Sequence, residues 1–266
     1  MWFMVWLLVS LPVVQQPSAV AAAVSANAPA DSRIWIGRYA EFEAFLKSAA
    51  IARQESIGTG VTLPKHAFFA PGGLAAGAIV KDLPGRRQDG FWESYKSEIA
   101  AYKLDRVLQL DMVPPTVERP VKGTVMSAQL WVEDLRTLKK VQELKLKAPD
   151  PQRWNWQLHR QMLFDNLVGN IDPNAGNLLF DPQWNFVKVD CSRCFTETLT
   201  TRFTLRQIDR PFFERVKALD EATLKREIGA WLEAGALSSI LTRQKSIIKD
   251  FEKLAKEKGD AQVFEP

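Results

Sequence analysis

Cysteine and histidine are nearly absent from this chain, with two of each in 266 residues. Two cysteines exclude a disulfide framework as the source of the fold, so stability has to come from a packed core. His66 and His159 lack ligand spacing to Cys191 and Cys194, which argues against a zinc centre and leaves both as structural or surface residues. A one-signed charge excess is missing as well. Thirty-five basic against 31 acidic residues make a mixed surface, and no basic-aromatic platform or groove-reading motif accompanies them, so nucleic acid is not an expected partner.

The first 30 residues hold no Lys, Arg, Asp or Glu. Their apolar run from Met1 to Val14 is too short to span a membrane comfortably. Ala-rich sequence follows, with small-residue sites at Val24-Ser25-Ala26 and Ala26-Asn27-Ala28. The pattern resembles a signal peptide cleaved near residue 26, although it has no positive n-region. Export to the periplasm or the exterior is the expectation. An uncleaved anchor is the alternative, and this segment is the sole expected route to a membrane. The whole chain is 46% hydrophobic and 25% charged, enough to bury one large core or two small lobes.

Phe42, Phe45, Leu46 and Ala49 recur at helical spacing over 39–50. Two apolar segments, 61–70 and 75–81, flank Pro71-Gly72-Gly73 and read as an antiparallel hairpin. Ile99, Tyr102, Leu104, Val107 and Leu108 predict a helix over 95–110, which Pro114, Pro115 and Pro120 end. A strand is expected over 124–132 and charged helical sequence after it, with a lobe boundary at Ala148 to Pro151. Residues 154–168 read as a helix with Leu158, Met162, Leu163 and Leu167 inward. Strands follow at 178–180 and 186–189, and helices run from 205 to 258.

Phosphoryl transfer needs metal ions on the phosphates, a base near the acceptor hydroxyl and a cation on the nucleotide. Asp172 and Asn177 have the five-residue spacing of a catalytic aspartate and a metal-holding asparagine, and the hairpin after them ends on Asp190, an oxygen ligand for a hard cation. Taken alone, 172–177 is an ordinary polar turn. The preceding helix, the hairpin and the terminal acid together favour the chemical reading. Lys81 at a strand end and Glu98 early in the next helix stand where a nucleotide-positioning ion pair is expected, with Glu93 as a competitor and solvated surface charges as the alternative. Gly58 and Gly60 precede the hairpin where backbone amides approach phosphates, or they form a plain turn.

The stretches IGTGVTLPK (57–65), SEIAAYKLDRVLQLDMVPPTVERPVKG (97–123), FDNLVGNIDPNAGNLLF (164–180) and VDCSRCF (189–195) resemble the atypical kinases of the four-jointed and secretory-pathway type and their bacterial relatives. The 170–177 and 190–195 segments are also similar to the catalytic loops of phosphatidylinositol kinases and HipA-type kinases. The resemblance covers roughly residues 55 to 245. It implies an α+β, two-lobed protein-kinase-like fold, with a small antiparallel-sheet N-lobe carrying one helix (31–148) and a mainly helical C-lobe (149–266). It also implies ATP with Mg or Mn, Asp172 as catalytic aspartate, Asn177 and Asp190 as metal ligands, and Lys81 with Glu98 on the nucleotide. The acceptor is a hydroxyl of protein, sugar or lipid. The chain departs from the pattern at Pro173, where many relatives carry Arg, and at Cys191, where they often carry His. Those departures keep a nucleotide-binding pseudokinase as the alternative function, and an interaction scaffold built on the C-terminal helices is a third reading. Cys191 and Cys194 read either as two small buried thiols or, in an oxidising compartment, as a disulfide beside Asp190.

Overall fold

The computed structural model describes residues 32–58, 64–83 and 93–265. The expected leader and Gly60 lie outside the described residues. In α1 (Tyr39–Ser48), Phe42 and Leu46 stand four apart and are both fully buried, which fixes the face it presents. The next five strands, β1 (Ile51–Ser56), β2 (Lys65–Phe69), β3 (Gly77–Lys81), β4 (Thr116–Val121) and β5 (Thr124–Leu130), form one antiparallel sheet in the order β1-β2-β3-β5-β4. The β2–β3 pair is the hairpin expected from Pro71-Gly72-Gly73, and Gly72 supplies the positive φ of +88°. Absent from the expectation is β1. Its sequence IARQES shows no apolar alternation because, as an edge strand, it leaves most of its residues exposed.

Between β3 and β4 lies α2 (Tyr95–Leu108). The Ser94 side chain accepts the Lys96 N–H to start it, and Gln109 closes it in the left-handed conformation. Both α1 and α2 pack on β4 and β5. Beyond the sheet come β6 (Arg136–Thr137), α3 (Leu138–Glu143) and α4 (Pro151–Val168). Asp150 caps α4 through the Gln152 and Arg153 amides, and Pro151 occupies its first turn. The expected hairpin appears as β7 (Leu178–Phe180) and β8 (Phe186–Lys188), joined by β6 into a three-stranded sheet. Then follow β9 (Ile208–Asp209), α5 (Arg210–Lys217), α6 (Glu221–Ile228), α7 (Ala234–Lys258), α8 (Asp260–Val263) and β10 (Phe264–Glu265), which pairs parallel with β9.

Two apolar clusters result. One joins Trp35, Phe42 and Leu46 to the inward residues of the five-stranded sheet. The other gathers Leu163, Phe164, Leu167, Phe212, Phe213, Ile240 and Phe251 with Leu104 and Leu108 of α2. Strand alternation in β8 sends Phe186 into the helical cluster and Val187 into the sheet cluster. Thus β8 is wedged between the two cores, and Asp190, two residues past its end, emerges at their junction. Residues Asp31–Pro266 make one compact unit, and no helix among the described residues is long and apolar enough to cross a membrane.

Candidate active site

Lys81 ends β3, a strand flanked by β2 and β5, and its side chain is 8% exposed. Its ammonium stands 2.5 Å from Glu98 Oε1 and 2.7 Å from Asp190 Oδ1. The Ser94 cap sets where α2 begins, and so places Glu98 in the first turn facing β3. Burial alone pulls the Lys81 pKa down, but the Glu98 and Asp190 carboxylates outweigh it and hold the group above the ordinary lysine range. The ammonium is therefore charged at any working pH. Glu98 is itself fixed on its other oxygen, which accepts the Cys191 N–H at 2.9 Å.

Asp190 adopts φ +60°, a left-handed conformation that aspartate tolerates better than most residues. Burial pushes its carboxyl up, yet Lys81, the Ser192 hydroxyl at 3.1 Å and Lys188 together leave it below the usual carboxylate range. Its second oxygen faces the Asn177 side-chain amide at 3.4 Å. Four sequence-predicted residues, Lys81, Glu98, Asn177 and Asp190, thus lie in one continuous set of contacts.

Asp172 is reached through a different residue. Its carboxylate, 42% exposed, accepts from Arg193 Nη1 at 3.1 Å, and Arg193 Nε donates to the wholly buried Glu93 at 2.7 Å. At Pro173 the sequence lacks the backbone donor and any charge contact that an arginine there would make. A guanidinium contact to Asp172 comes instead from Arg193, in the turn after Asp190. The two glutamates that compete in sequence also separate here, with Glu98 on Lys81 and Glu93 on Arg193. Asn170 steadies the loop by accepting the Asp172 N–H at 3.0 Å and donating to Asp165 at 3.0 Å. The buried Asp165 holds Lys188 at 2.7 Å, so α4, the 170–177 loop and β8 share one buried polar network.

Cys191 and Cys194 form a disulfide, and both are buried. The bond closes a short loop that carries Ser192 and Arg193. That loop is held on both sides: Ser94 N donates to Ser192 O at 3.0 Å, and Ile171 N donates to Arg193 O at 3.3 Å. In the sequence Arg193 stands within the VDCSRCF stretch of the resemblance with no contact assigned to it, and its partners lie 21 and 100 positions away. Gly58 closes β1 at φ +70° and its N–H donates to Ser56 Oγ at 3.3 Å, the contact of a local turn. His66, opposite Ile79 in the β2–β3 register, shares a sheet face with Lys81 and stacks on Trp131 with centroids 3.9 Å apart.

Among the described residues no group of three or more His, Cys, Asp or Glu is arranged to cage a metal. Asp190 offers its carboxylate, and the neighbouring Asn177 side-chain amide, whose nitrogen faces Asp190 Oδ2 at 3.4 Å, carries an oxygen on the same carbon. A hard cation that keeps waters and takes other ligands from a polyphosphate needs no more protein than that. The donor set fits magnesium or manganese bound with a nucleotide, and does not fit an ion held by protein alone.

No protein-family profile and no curated protein matches the chain. Solved structures do. Hydra Fam20 with sugar superposes with a TM-score of 0.66 at 15% identity, over 85% of this chain and 92% of that one. The chain has a kinase fold. The Golgi casein kinase with Mn/ADP bound follows at TM-score 0.64 and 14% identity, over 85% of this chain and 78% of that one. The Helicobacter pylori proinflammatory kinase CtkA matches at TM-score 0.53 and 13% identity, over 80% of this chain and 98% of that one. Solved structures of the secretory-kinase group that the motifs resemble are thus among those that share this architecture. At these identities the likeness is one of fold.

Proposed function

We propose that this chain is an ATP-dependent kinase that transfers the γ-phosphoryl group to a hydroxyl acceptor. The observation that carries the proposal is the buried Lys81–Glu98 pair in direct contact with Asp190, with Asn177 beside it. In this reading Lys81 binds the α- and β-phosphates while Glu98 keeps its ammonium in place. Asp190 and Asn177 would hold magnesium or manganese, which when bound would neutralise charge on the phosphates. Asp172 orients the acceptor hydroxyl and takes its proton as the acceptor oxygen bonds to γ-phosphorus and the bond to ADP breaks. Arg193 keeps the Asp172 carboxylate aimed, and the His66–Trp131 ring pair offers a stacking surface for the base.

The bound Mn/ADP and sugar of the two Fam20-type neighbours agree with this cofactor and acceptor class. The disulfide agrees with an exported protein, since such bonds persist in oxidising compartments. In this reading 31–148 and 149–266 are the two lobes, and the nucleotide lies between them.

The test is transfer from radiolabelled ATP with Mg²⁺ and with Mn²⁺, on wild type and Asp190→Ala, with protein, sugar and lipid acceptors in parallel. Label transfer by wild type alone is expected. A metal-dependent thermal shift with ATP but no transfer assigns a nucleotide-binding pseudokinase instead, and no shift at all overturns both readings.

A further inference from the structure

Away from the cleft, a cavity of about 290 Å³ opens between the first half of α4 and the segment linking α2 to β4. We propose that this cavity binds a soluble, phosphate-bearing small molecule whose planar or apolar part rests on its wall. Arg33, Arg153 and Arg160 line it together with Leu110, Met112, Phe186 and Trp156, and among the described residues no carboxylate does. Arg153 and Arg160 stand seven apart on α4 and so project from one face two turns apart.

Each of these two guanidiniums is anchored without being used up. Arg153 donates from Nη1 to Gln183 O at 3.1 Å and from Nη2 to Asn185 Oδ1, which leaves Nε. Arg160 gives Nε to the buried Asp209 at 2.7 Å and keeps both Nη groups. Gln157, between them, is committed on both ends: its amide donates to Trp184 O at 2.9 Å and its oxygen accepts the Phe186 N–H at 2.8 Å. That pair of bonds sutures α4 to β8 and preforms the cavity. Arg215, which donates to Leu108 O at 2.6 Å, adds a further cation within electrostatic reach of Arg160.

Fixed cations around so small a volume attract anions, and the guanidinium fork matches the oxygens of a phosphate. The apolar floor of Leu110, Met112 and Phe186, beside the Trp156 indole, favours an organic phosphate over the bare ion. Phe186 turns to this side while Val187, its neighbour in β8, joins the sheet core, so the cavity lies across β8 from the sheet cluster. The inference does not rest on the phosphotransferase reading.

Phenyl phosphate is the probe, titrated calorimetrically into the full chain at low ionic strength with saturating ADP and Mn²⁺ filling any nucleotide site. Saturable binding is expected, with no heat from phenol and weaker binding of inorganic phosphate. Adding salt to 0.5 M weakens it, as for any contact between partly exposed charges. Arg33→Gln with Arg153→Gln weakens it by roughly tenfold or more, while Lys81→Met leaves it unchanged. Arg153→Gln alone, at an exposed position, serves if the double variant melts early. Absence of binding, equal affinity in the Arg153→Gln protein, or loss of binding in Lys81→Met overturns the assignment. Capture by phosphatidic acid vesicles with no response to phenyl phosphate overturns the soluble source.

Discussion

The cleft and the helical core each bury a cation and treat it in opposite ways. Lys81 sits between two carboxylates and is held above its ordinary pKa. Arg243, on α7 and fully buried, has no carboxylate partner among the described residues. Its Nε donates to Leu167 O at 2.9 Å, and Nη1 donates to Thr196 O at 2.8 Å and Thr198 O at 2.6 Å. Burial lowers its pKa to about 10, so it still carries charge at neutral pH, supported by carbonyl dipoles at the negative end of α4. Side-chain carboxylates can exchange one partner for another when a ligand arrives. Backbone carbonyls cannot, and Arg243 is a clamp between the end of α4 and the 196–198 segment. Gly169 records the tightness: it sits at φ +59°, and a Cβ there would lie 2.8 Å from the Arg243 guanidinium.

Exchanging the two cations for neutral side chains breaks the comparison most sharply. Lys81→Met is expected to lower phosphoryl transfer by roughly 10²- to 10³-fold, and it lowers the melting temperature as well because the buried Glu98 and Asp190 carboxylates lose their shared cation, measured by initial rates beside a thermal melt. Arg243→Met spares the site and acts on stability alone. Three carbonyls lose their donor, so stability falls by about 3 kcal/mol and the melting temperature by roughly 10 °C, while the folded fraction still binds nucleotide.

The disulfide loop stands between these extremes, since it is a covalent brace that holds a charged residue against the cleft. Cys191→Ser with Cys194→Ser removes about 2 kcal/mol by the loop-entropy relation. It is also expected to lower turnover by roughly ten- to a hundredfold as Arg193 loosens from Asp172, with nucleotide affinity unchanged. Initial rates and nucleotide titration on the same preparation check this split.

A buried carboxyl sharpens the contrast at small amplitude. Asp105 has its pKa pushed up to about 8 by burial, with Asp111 adding to it and the Met112 and Val113 amides opposing. Its Oδ1 accepts the Met112 N–H at 3.1 Å, and its Oδ2 has no partner among the described residues. Between about pH 4 and pH 8 the folded chain keeps a proton that the unfolded chain has lost, so stability falls as pH rises through that window. Asp105→Asn should flatten that slope and raise stability at pH 7 by about 1 kcal/mol, read from denaturant melts at several pH values.

The sequence made legible what depends on local pattern. The helical spacing in α1, α2 and α4, the Pro-Gly-Gly hairpin and the Asp172-to-Asp190 spacing all repeat over short distances, and periodicity reports them directly. What it hid depends on tertiary contact. Arg193 and Glu93 meet 100 positions apart, and no local pattern marks either as a partner of the other. Arg243 shares its helix with five lysines, and nothing in the sequence sets it apart from them, because burial against carbonyls leaves no complementary charge to find. β1 escaped because an edge strand needs no alternation. Cys191 and Cys194 allowed both thiols and a disulfide at their spacing, and only the turn that brings their Cα atoms to 5.1 Å selects the bond.

Metal-dependent nucleotide binding at the Lys81–Glu98–Asp190 cluster is the central claim, and calorimetric titration of a non-hydrolysable ATP analogue in the presence and absence of Mn²⁺ tests it most directly. Binding that requires the metal, and that is lost in Asp190→Asn while the protein stays folded, is the expected result. Binding indifferent to metal and to Asp190, or no binding by the wild-type chain, would contradict it.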